Sequence, residues 1–139
     1  MVQNTNIKSY VKPYKKIYKT KCKIPYKKSL KYMTYIGSNI IHIRTSNNTQ
    51  CIAEVVNNQL NGKIKLFDIF GNCFQGTYKN NKSYGNGIIT SNYGSTCKGY
   101  FSDGKLIKKC KIIQNESENL NPNYFNNILQ NLHTTIFDM

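Results

Sequence analysis

The sequence predicts a mainly β protein of stacked antiparallel hairpins, with a C-terminal α-helix and a basic N-terminal extended segment. The hairpins are predicted by pairs of turn-forming residues that recur every 23 residues, with alternating side chains on both sides of each pair. The helix is predicted by apolar side chains at helical spacing near the C-terminus. A chain of 139 residues suits one compact domain with a tail.

Charge divides the chain into unequal parts. The formal net charge is +14 and the first acidic residue is Glu54, so every charged side chain before it is basic. We therefore expect three segments: a basic Lys/Tyr-rich segment at 1–31, a β-hairpin repeat domain at 32–115, and a linker with the C-terminal helix at 116–139. A concentrated basic region points to nucleic acid, anionic lipid or an acidic protein as the partner.

The basic segment contains the stretch "KPYKKIYKTKCKIPYKK", from Lys12 to Lys28. Within it Tyr18, Cys22 and Ile24 alternate with lysines, which favours an extended strand with a lysine face. The prolines of the repeated "PYKK" would confine such a strand to the edge of a sheet. The following stretch, "YMTYIGSNIIHIRTS", predicts one or two further strands broken at glycine, with a histidine on the exposed face.

The repeat itself is defined by two-residue turns. A two-residue hairpin turn of the primed type needs positive φ, which Asn, Asp and Gly tolerate best. Pairs of this kind recur at intervals of 23 residues: Asn57-Asn58, Asn80-Asn81 and Asp103-Gly104. Alternation places Phe74, Gly76 and Tyr78 on one face of the strand before the second turn, and Gln75 and Thr77 on the other.

One unit, "FQGTYKNNKSYGNG", has an aromatic-x-Gly-x-aromatic stretch, a turn followed by lysine, and Gly-x-Gly at Gly85 and Gly87. The unit from Cys97 keeps only the first half, since Lys108 and Cys110 replace the second pair of glycines, and the unit from Cys51 is more degenerate. This pattern resembles the MORN repeat over about residues 51–110. The resemblance implies a sheet of stacked hairpins in a lipid-binding, scaffolding or dimerising module.

The C-terminal helix has its own start signal. Asn121 can serve as the N-cap and Pro122 suits the first helical position. The apolar stripe that follows consists of Phe125, Ile128, Leu129, Leu132 and Ile136. We expect this stripe to cover one face or end of the sheet, with a homodimer through the helix as the alternative, and we expect His133 at the surface.

Several classes of function find no support in the sequence. Six acids and two histidines are scattered without a nucleophile–base or paired-carboxylate pattern, and the glycine-rich stretches lack a phosphate-loop context, so we expect no enzyme. Five cysteines without a C-x-x-C pair indicate free, mostly buried thiols in a reducing intracellular compartment, with no metal or cofactor. An apolar leader and an apolar run of about 20 residues are both missing, so we expect neither secretion nor a membrane span.

The leading hypothesis is sequence-independent binding of nucleic acid, with DNA favoured over RNA. Lysine neutralises phosphates, tyrosine can contact phosphate or stack on a base, and the near absence of arginine argues against reading of base sequence. A genome-packaging or virion role would suit this hypothesis and the A/T-rich composition. The expected nucleic-acid-binding residues are Lys8, Lys12, Lys15, Lys16, Lys19, Lys21, Lys23, Lys27, Lys28, Lys31, Tyr14, Tyr18, Tyr26 and Arg44, with Tyr10 as an auxiliary contact.

The sequence also leaves alternatives to nucleic-acid binding. The basic segment could bind an anionic membrane surface, or be a solvated tail that only keeps the protein soluble. A MORN-like scaffold without a nucleic-acid function is the runner-up. Four further lysines are expected at the repeat turns, where they would extend the basic surface: Lys79, Lys82, Lys98 and Lys105.

Overall fold

The computed structural model describes residues 30–113 and 122–137, which form a nine-stranded antiparallel sheet and one helix. The strands are β1 (Leu30–Tyr35), β2 (Ile40–Thr45), β3 (Gln50–Val56), β4 (Gln59–Phe67), β5 (Cys73–Lys79), β6 (Lys82–Ser83), β7 (Gly85–Thr90), β8 (Thr96–Ser102) and β9 (Lys105–Ile113), and the helix is α1 (Pro122–Ile136).

The strands lie in the sheet in chain order, each paired with the next, except that the two-residue β6 pairs with β5 beside the β5–β7 pairing. The predicted fold class, stacked antiparallel hairpins with a C-terminal helix, is confirmed. The sheet begins at Leu30, two residues before the expected boundary of the repeat domain. The expected edge strand between Lys12 and Lys28 lies outside the described residues.

The three predicted two-residue turns adopt the backbone that their residues favour. Both central residues of each turn have positive φ: 53° and 63° at Asn57-Asn58, 52° and 71° at Asn80-Asn81, and 53° and 85° at Asp103-Gly104. This is the primed geometry, whose twist matches that of the flanking strands. The turns also bond to one another, because Asn81 Oδ1 accepts the N–H of Leu60 at 2.8 Å.

The loops at the opposite end of the sheet keep the same 23-residue period. Thr45, Asp68 and Ser91 each begin such a loop, and each side-chain oxygen accepts the backbone N–H four residues later, at 3.1, 3.0 and 3.2 Å. Such bonds close a loop locally without help from the rest of the fold. The repeat is therefore encoded at both ends of each hairpin.

Alternation along the strands places the core on one face of the sheet, which we call the covered face because α1 packs on it. The helix begins at Pro122, as predicted, and all five residues of the predicted stripe are buried. The expectation that this stripe covers the sheet is confirmed, so a homodimer through α1 would have to use its exposed, amide-rich side. The largest buried side chains on the sheet side include Phe74, Phe101, Ile43, Leu66 and Ile89.

Two glycines of the best repeat unit, Gly76 and Gly87, lie against these aromatic rings. A Cβ added at Gly76 would lie 2.8 Å from the ring of Phe74, and one at Gly87 would lie 2.9 Å from Phe74 and 3.1 Å from Phe101. The two phenylalanine rings meet edge to face, with centroids 5.2 Å apart. Glycine is therefore required where a core ring packs directly against the backbone.

His133 is where a sequence expectation fails. The sequence predicts it at the surface, but it is only 8% exposed, because the turn of α1 that carries it packs over β5. Its Nδ1 is 2.7 Å from the hydroxyl of the buried Tyr78, a partner 55 residues away in the chain. The helix is also tied to the sheet by Asn126, whose Oδ1 accepts the N–H of Leu106 at 2.8 Å.

The last strand departs from the repeat. Where glycines are expected, β9 has Lys108 and Cys110, and its pairing with β8 shifts register twice. Among the described residues no strand pairs with its outer edge, and lysines and bulges at an edge oppose pairing with other chains. Across the described ranges we find no helix with the length and hydropathy of a membrane span.

Candidate nucleic-acid interface

The side of the sheet opposite α1, which we call the open face, carries a row of side chains that run across the strands in register. From β2 to β8, each member of this row lies between two residues that belong to the covered face. The row, which we call the central row, comprises His42, Ile52, Lys65, Gln75, Ile88, Lys98 and Lys111. Neighbouring strands are about 4.8 Å apart, so the row spans roughly 29 Å.

The open face is basic. Besides the three lysines of the central row, Lys63 alternates onto this face, and a register shift in β9 brings Lys108 opposite Tyr100 on the same face. Glu54 is on the same face, where its Oε1 accepts the N–H of Lys63 at 2.5 Å. Lysine charge therefore exceeds acidic charge across the face.

The other two acids of the described residues lie in turns. Asp68 closes its loop through hydrogen bonds to Phe70 and Asn72. Asp103 accepts a salt bridge from Lys82 at 3.1 Å, the only salt bridge found within residues 30–113 and 122–137. The lysines of the open face thus keep their charge available for an external anion.

Two grooves lie between the side chains of the open face. The larger, of about 670 Å³, is lined by open-face side chains of β2 to β5, including Ile52, Lys63 and Lys65. The smaller, of about 440 Å³, is lined by Gln75, Asn86, Ile88, Lys98 and the backbone of Gly87 and Gly99. Both combine apolar walls with amide or ammonium groups.

A pair of tyrosines lies beside the smaller groove. The rings of Tyr84 and Tyr100 have centroids 6.3 Å apart and an interplanar angle of 61°, and they remain 41% and 36% exposed. The ammonium of Lys79 lies 4.9 Å from the centre of the Tyr84 ring. A hydrogen bond with Tyr84 raises the pKa of Tyr100, so the Tyr100 phenol stays neutral at physiological pH.

Most of the predicted binding residues lie outside the described residues, namely Lys8, Tyr10, Lys12, Tyr14, Lys15, Lys16, Tyr18, Lys19, Lys21, Lys23, Tyr26, Lys27 and Lys28. The backbone of Lys31 belongs to β1. Arg44 is half-buried on the open face, opposite Gln50. His42 occupies the same face as expected, and its Nε2 is 2.8 Å from Gln50 Oε1.

The additional lysines divide into two groups. Lys79, Lys82 and Lys105 flank repeat turns, as predicted, whereas the expected turn position of Lys98 is wrong. Lys98 lies within β8, which begins two residues before it at Thr96. Sequence reasoning also missed Lys63, Lys65 and Lys111 as members of a surface, although the first two alternate with buried Ile64 and Leu66.

Buried titratable groups lie away from the open face. Cys51 and Cys97 are free and buried, as predicted, and burial raises the pKa of Cys51, so it stays a thiol. A polar cavity of about 200 Å³ separates α1 from the turns and is lined in part by His133, Lys82 and Asp103. Burial, with the nearby Lys82 charge, lowers the pKa of His133 to about 4. No cluster of three or more potential metal ligands occurs in the described part of the chain.

Comparison with known proteins adds no family to this description. No protein-family model matches the chain, and no curated protein matches it. The open face therefore has to be interpreted from its own chemistry.

Proposed function

We propose that the protein binds nucleic acid without sequence specificity, and that the open face provides a phosphate-contacting surface. The observation that carries the proposal is the central row, in which Lys65, Lys98 and Lys111 lie on one solvent-facing surface with no acidic member. Lysines that neutralise phosphates release condensed counterions, which is the main driving force of non-specific binding. Packaging or protection of a genome is the biological role that such binding would serve.

The residue types favour contacts to the nucleic-acid backbone over reading of base sequence. Arg44 is the sole arginine of the chain and is half-buried. Lysine is a flexible point charge, whereas specific reading of guanine usually relies on the bidentate arginine fork. The lysine-rich segment 1–31 would add further phosphate contacts and increase the salt dependence of binding.

The test neutralises the central row in the full chain. We expect Lys65→Gln/Lys98→Gln/Lys111→Gln to weaken binding to a 15-nucleotide single strand roughly 50-fold at 150 mM salt, from about fourfold per lost phosphate contact. The slope of log K against log salt should fall by about 2. Fluorescence anisotropy over a salt series measures both quantities.

The matched control lowers net charge by the same amount, but on α1, which lies on the opposite side of the sheet from the open face. Asn123→Asp/Asn127→Asp/Asn131→Asp lowers net charge by three on the exposed side of α1. It should weaken binding much less than the lysine variant, since charges beyond a Debye length of about 8 Å are screened. Equal losses in the two variants would show that only total charge matters and would contradict an interface on the open face.

The second candidate is a MORN-like scaffold or an anionic-lipid-binding module. It is favoured by the glycine and aromatic pattern, which the structure places at close backbone–ring contacts. Vesicles containing phosphatidylserine distinguish it from the first, because a lipid-binding module would bind them and leave the oligonucleotide unbound. The N-terminal contribution is tested separately by Lys15→Gln/Lys16→Gln/Lys19→Gln, which should lower the salt slope for nucleic acid by about 2.

A further inference from the structure

The tyrosine pair and the smaller groove make a different kind of surface from the lysines. Tyr84 and Tyr100 expose ring area at one end of the open face, where it is not needed for the core. Lys79 adds a cation beside one ring. Aromatic rings among basic side chains are typical of surfaces that stack unpaired bases.

The groove next to the tyrosines provides polar groups for a base edge. Gln75 and Asn86 contribute amides that both donate and accept hydrogen bonds, while Ile88 contributes an apolar wall. Its volume of about 440 Å³ falls within the range of small-molecule pockets. Because amides can pair with several different base edges, such a groove accommodates bases without selecting one.

The register brings the tyrosine, the groove and a phosphate contact together. Asn86 lies directly opposite Tyr100 on the neighbouring strand. Lys98 precedes Tyr100 by two residues on β8, so it lies on the same face, about 7 Å along the strand. A nucleotide whose base stacks on Tyr100 can therefore direct its phosphate toward Lys98 or toward Lys108, which is opposite Tyr100 in β9.

On this basis, and resting on the proposed function, we propose that the open face binds unpaired nucleic acid, with one base stacked on Tyr100 and an adjoining base in the groove above Gly87 and Gly99. In a duplex the bases are inaccessible to this surface. The sheet is about 34 Å wide across eight strands, whereas the major groove is about 12 Å wide. A duplex can therefore meet the open face only through its phosphates.

Three probes of equal length separate base contacts from charge. They are a 15-nucleotide oligo(dT), an abasic 15-mer with the same phosphates, and a 15-base-pair duplex. We expect the full chain to bind oligo(dT) at least tenfold more tightly than the abasic strand, measured by fluorescence anisotropy at 150 mM salt. Equal affinity for oligo(dT) and the abasic strand would overturn this inference, yet leave charge-driven binding intact.

Substitution of Tyr100 tests whether a base stacks beside the smaller groove. Tyr100→Thr should weaken oligo(dT) binding between about fivefold and about 150-fold, the effect of losing one base stack, and leave abasic binding unchanged. Tyr100→Phe keeps the ring and should retain the affinity. Tyr93→Thr removes a tyrosine that is 60% exposed in a distant loop and should change nothing.

The two proposals fail in different ways. If Tyr100→Thr binds oligo(dT) as the unchanged chain does, or loses affinity equally for the abasic strand, base stacking at Tyr100 is wrong. If none of the three probes binds, or if the central-row lysines have no effect on binding, the proposed function itself is wrong. A higher affinity for the duplex than for oligo(dT) would also contradict the inference.

Discussion

The two faces of this sheet are built by the same strands and have opposite chemistry. The covered face holds Phe74 and Phe101 against α1, and a Cβ added at Gly87 would collide with their rings. Gln75, which follows Phe74 in β5, belongs to the open face, with its lysines and grooves. Alternation in each strand therefore separates the core from the proposed binding surface, so stability and the proposed binding can be changed independently.

The largest expected effect concerns the covered face. Phe74→Ala should lower the free energy of unfolding by about 3–5 kcal/mol, because it removes a fully buried ring from the centre of the core. Gln75→Ala, the adjacent substitution on the open face, should change it by less than about 0.5 kcal/mol. Urea denaturation followed by circular dichroism measures both. Similar losses in the two variants would contradict the division between the faces.

A second effect concerns the buried histidine beneath the helix. The pKa of His133 is lowered from 6.5 to about 4. Between these two pH values the imidazole is protonated in the unfolded chain and neutral in the folded chain. The stability contributed by the neutral imidazole is complete above about pH 6.5 and is lost as the pH falls toward 4. We expect the free energy of unfolding to drop by about 2 kcal/mol between pH 7 and pH 5.

Substitution of each histidine in turn tests whether His133 causes the pH dependence of stability. His133→Gln should flatten the change in unfolding free energy between pH 7 and pH 5, whereas His42→Gln on the open face should leave it as steep as before. The other titratable side chains that face the same cavity are Tyr78, Lys82 and Asp103, and burial raises the pKa of Tyr78 above its ordinary value. An equally steep profile in the His133→Gln variant would exclude this histidine as the cause.

The smallest effect on stability should come from the central row. Lys65→Gln/Lys98→Gln/Lys111→Gln should change the free energy of unfolding by less than about 0.5 kcal/mol, because exposed lysine charges contribute little to folding. Thermal denaturation at pH 7 provides the check. A large loss of stability would mean that reduced binding by this variant reflects unfolding instead of lost phosphate contacts.

Local chemistry explains which parts of the fold the sequence could predict. Turn pairs such as Asn80-Asn81 encode their positive φ within two residues, and the stripe of α1 encodes its buried side within four turns. The sequence wrongly predicts His133 at the surface because its partner, Tyr78, is 55 residues away. No local pattern records a contact of that kind.

The candidate interface could be predicted less well. Lys63 and Lys65 alternate with buried residues in the sequence, which assigns them to one face, but the registry that aligns Lys65 with Lys98 needs three intervening strand pairings. The position of the tyrosine pair also depends on tertiary structure. Tyr84 follows the irregular step between β6 and β7, where Thr77 Oγ1 donates to its carbonyl and holds it near Tyr100.

The most direct test of the central claim is to locate bound nucleic acid on the molecule. Two-dimensional ¹⁵N NMR of the full chain, titrated with oligo(dT), reports the affected residues without any substitution. We predict the largest shift changes at Lys65, Gln75, Lys98 and Tyr100 on the open face, with residues on the exposed side of α1 unaffected. Changes centred on α1, with the central row unaffected, would contradict the open face as the interface.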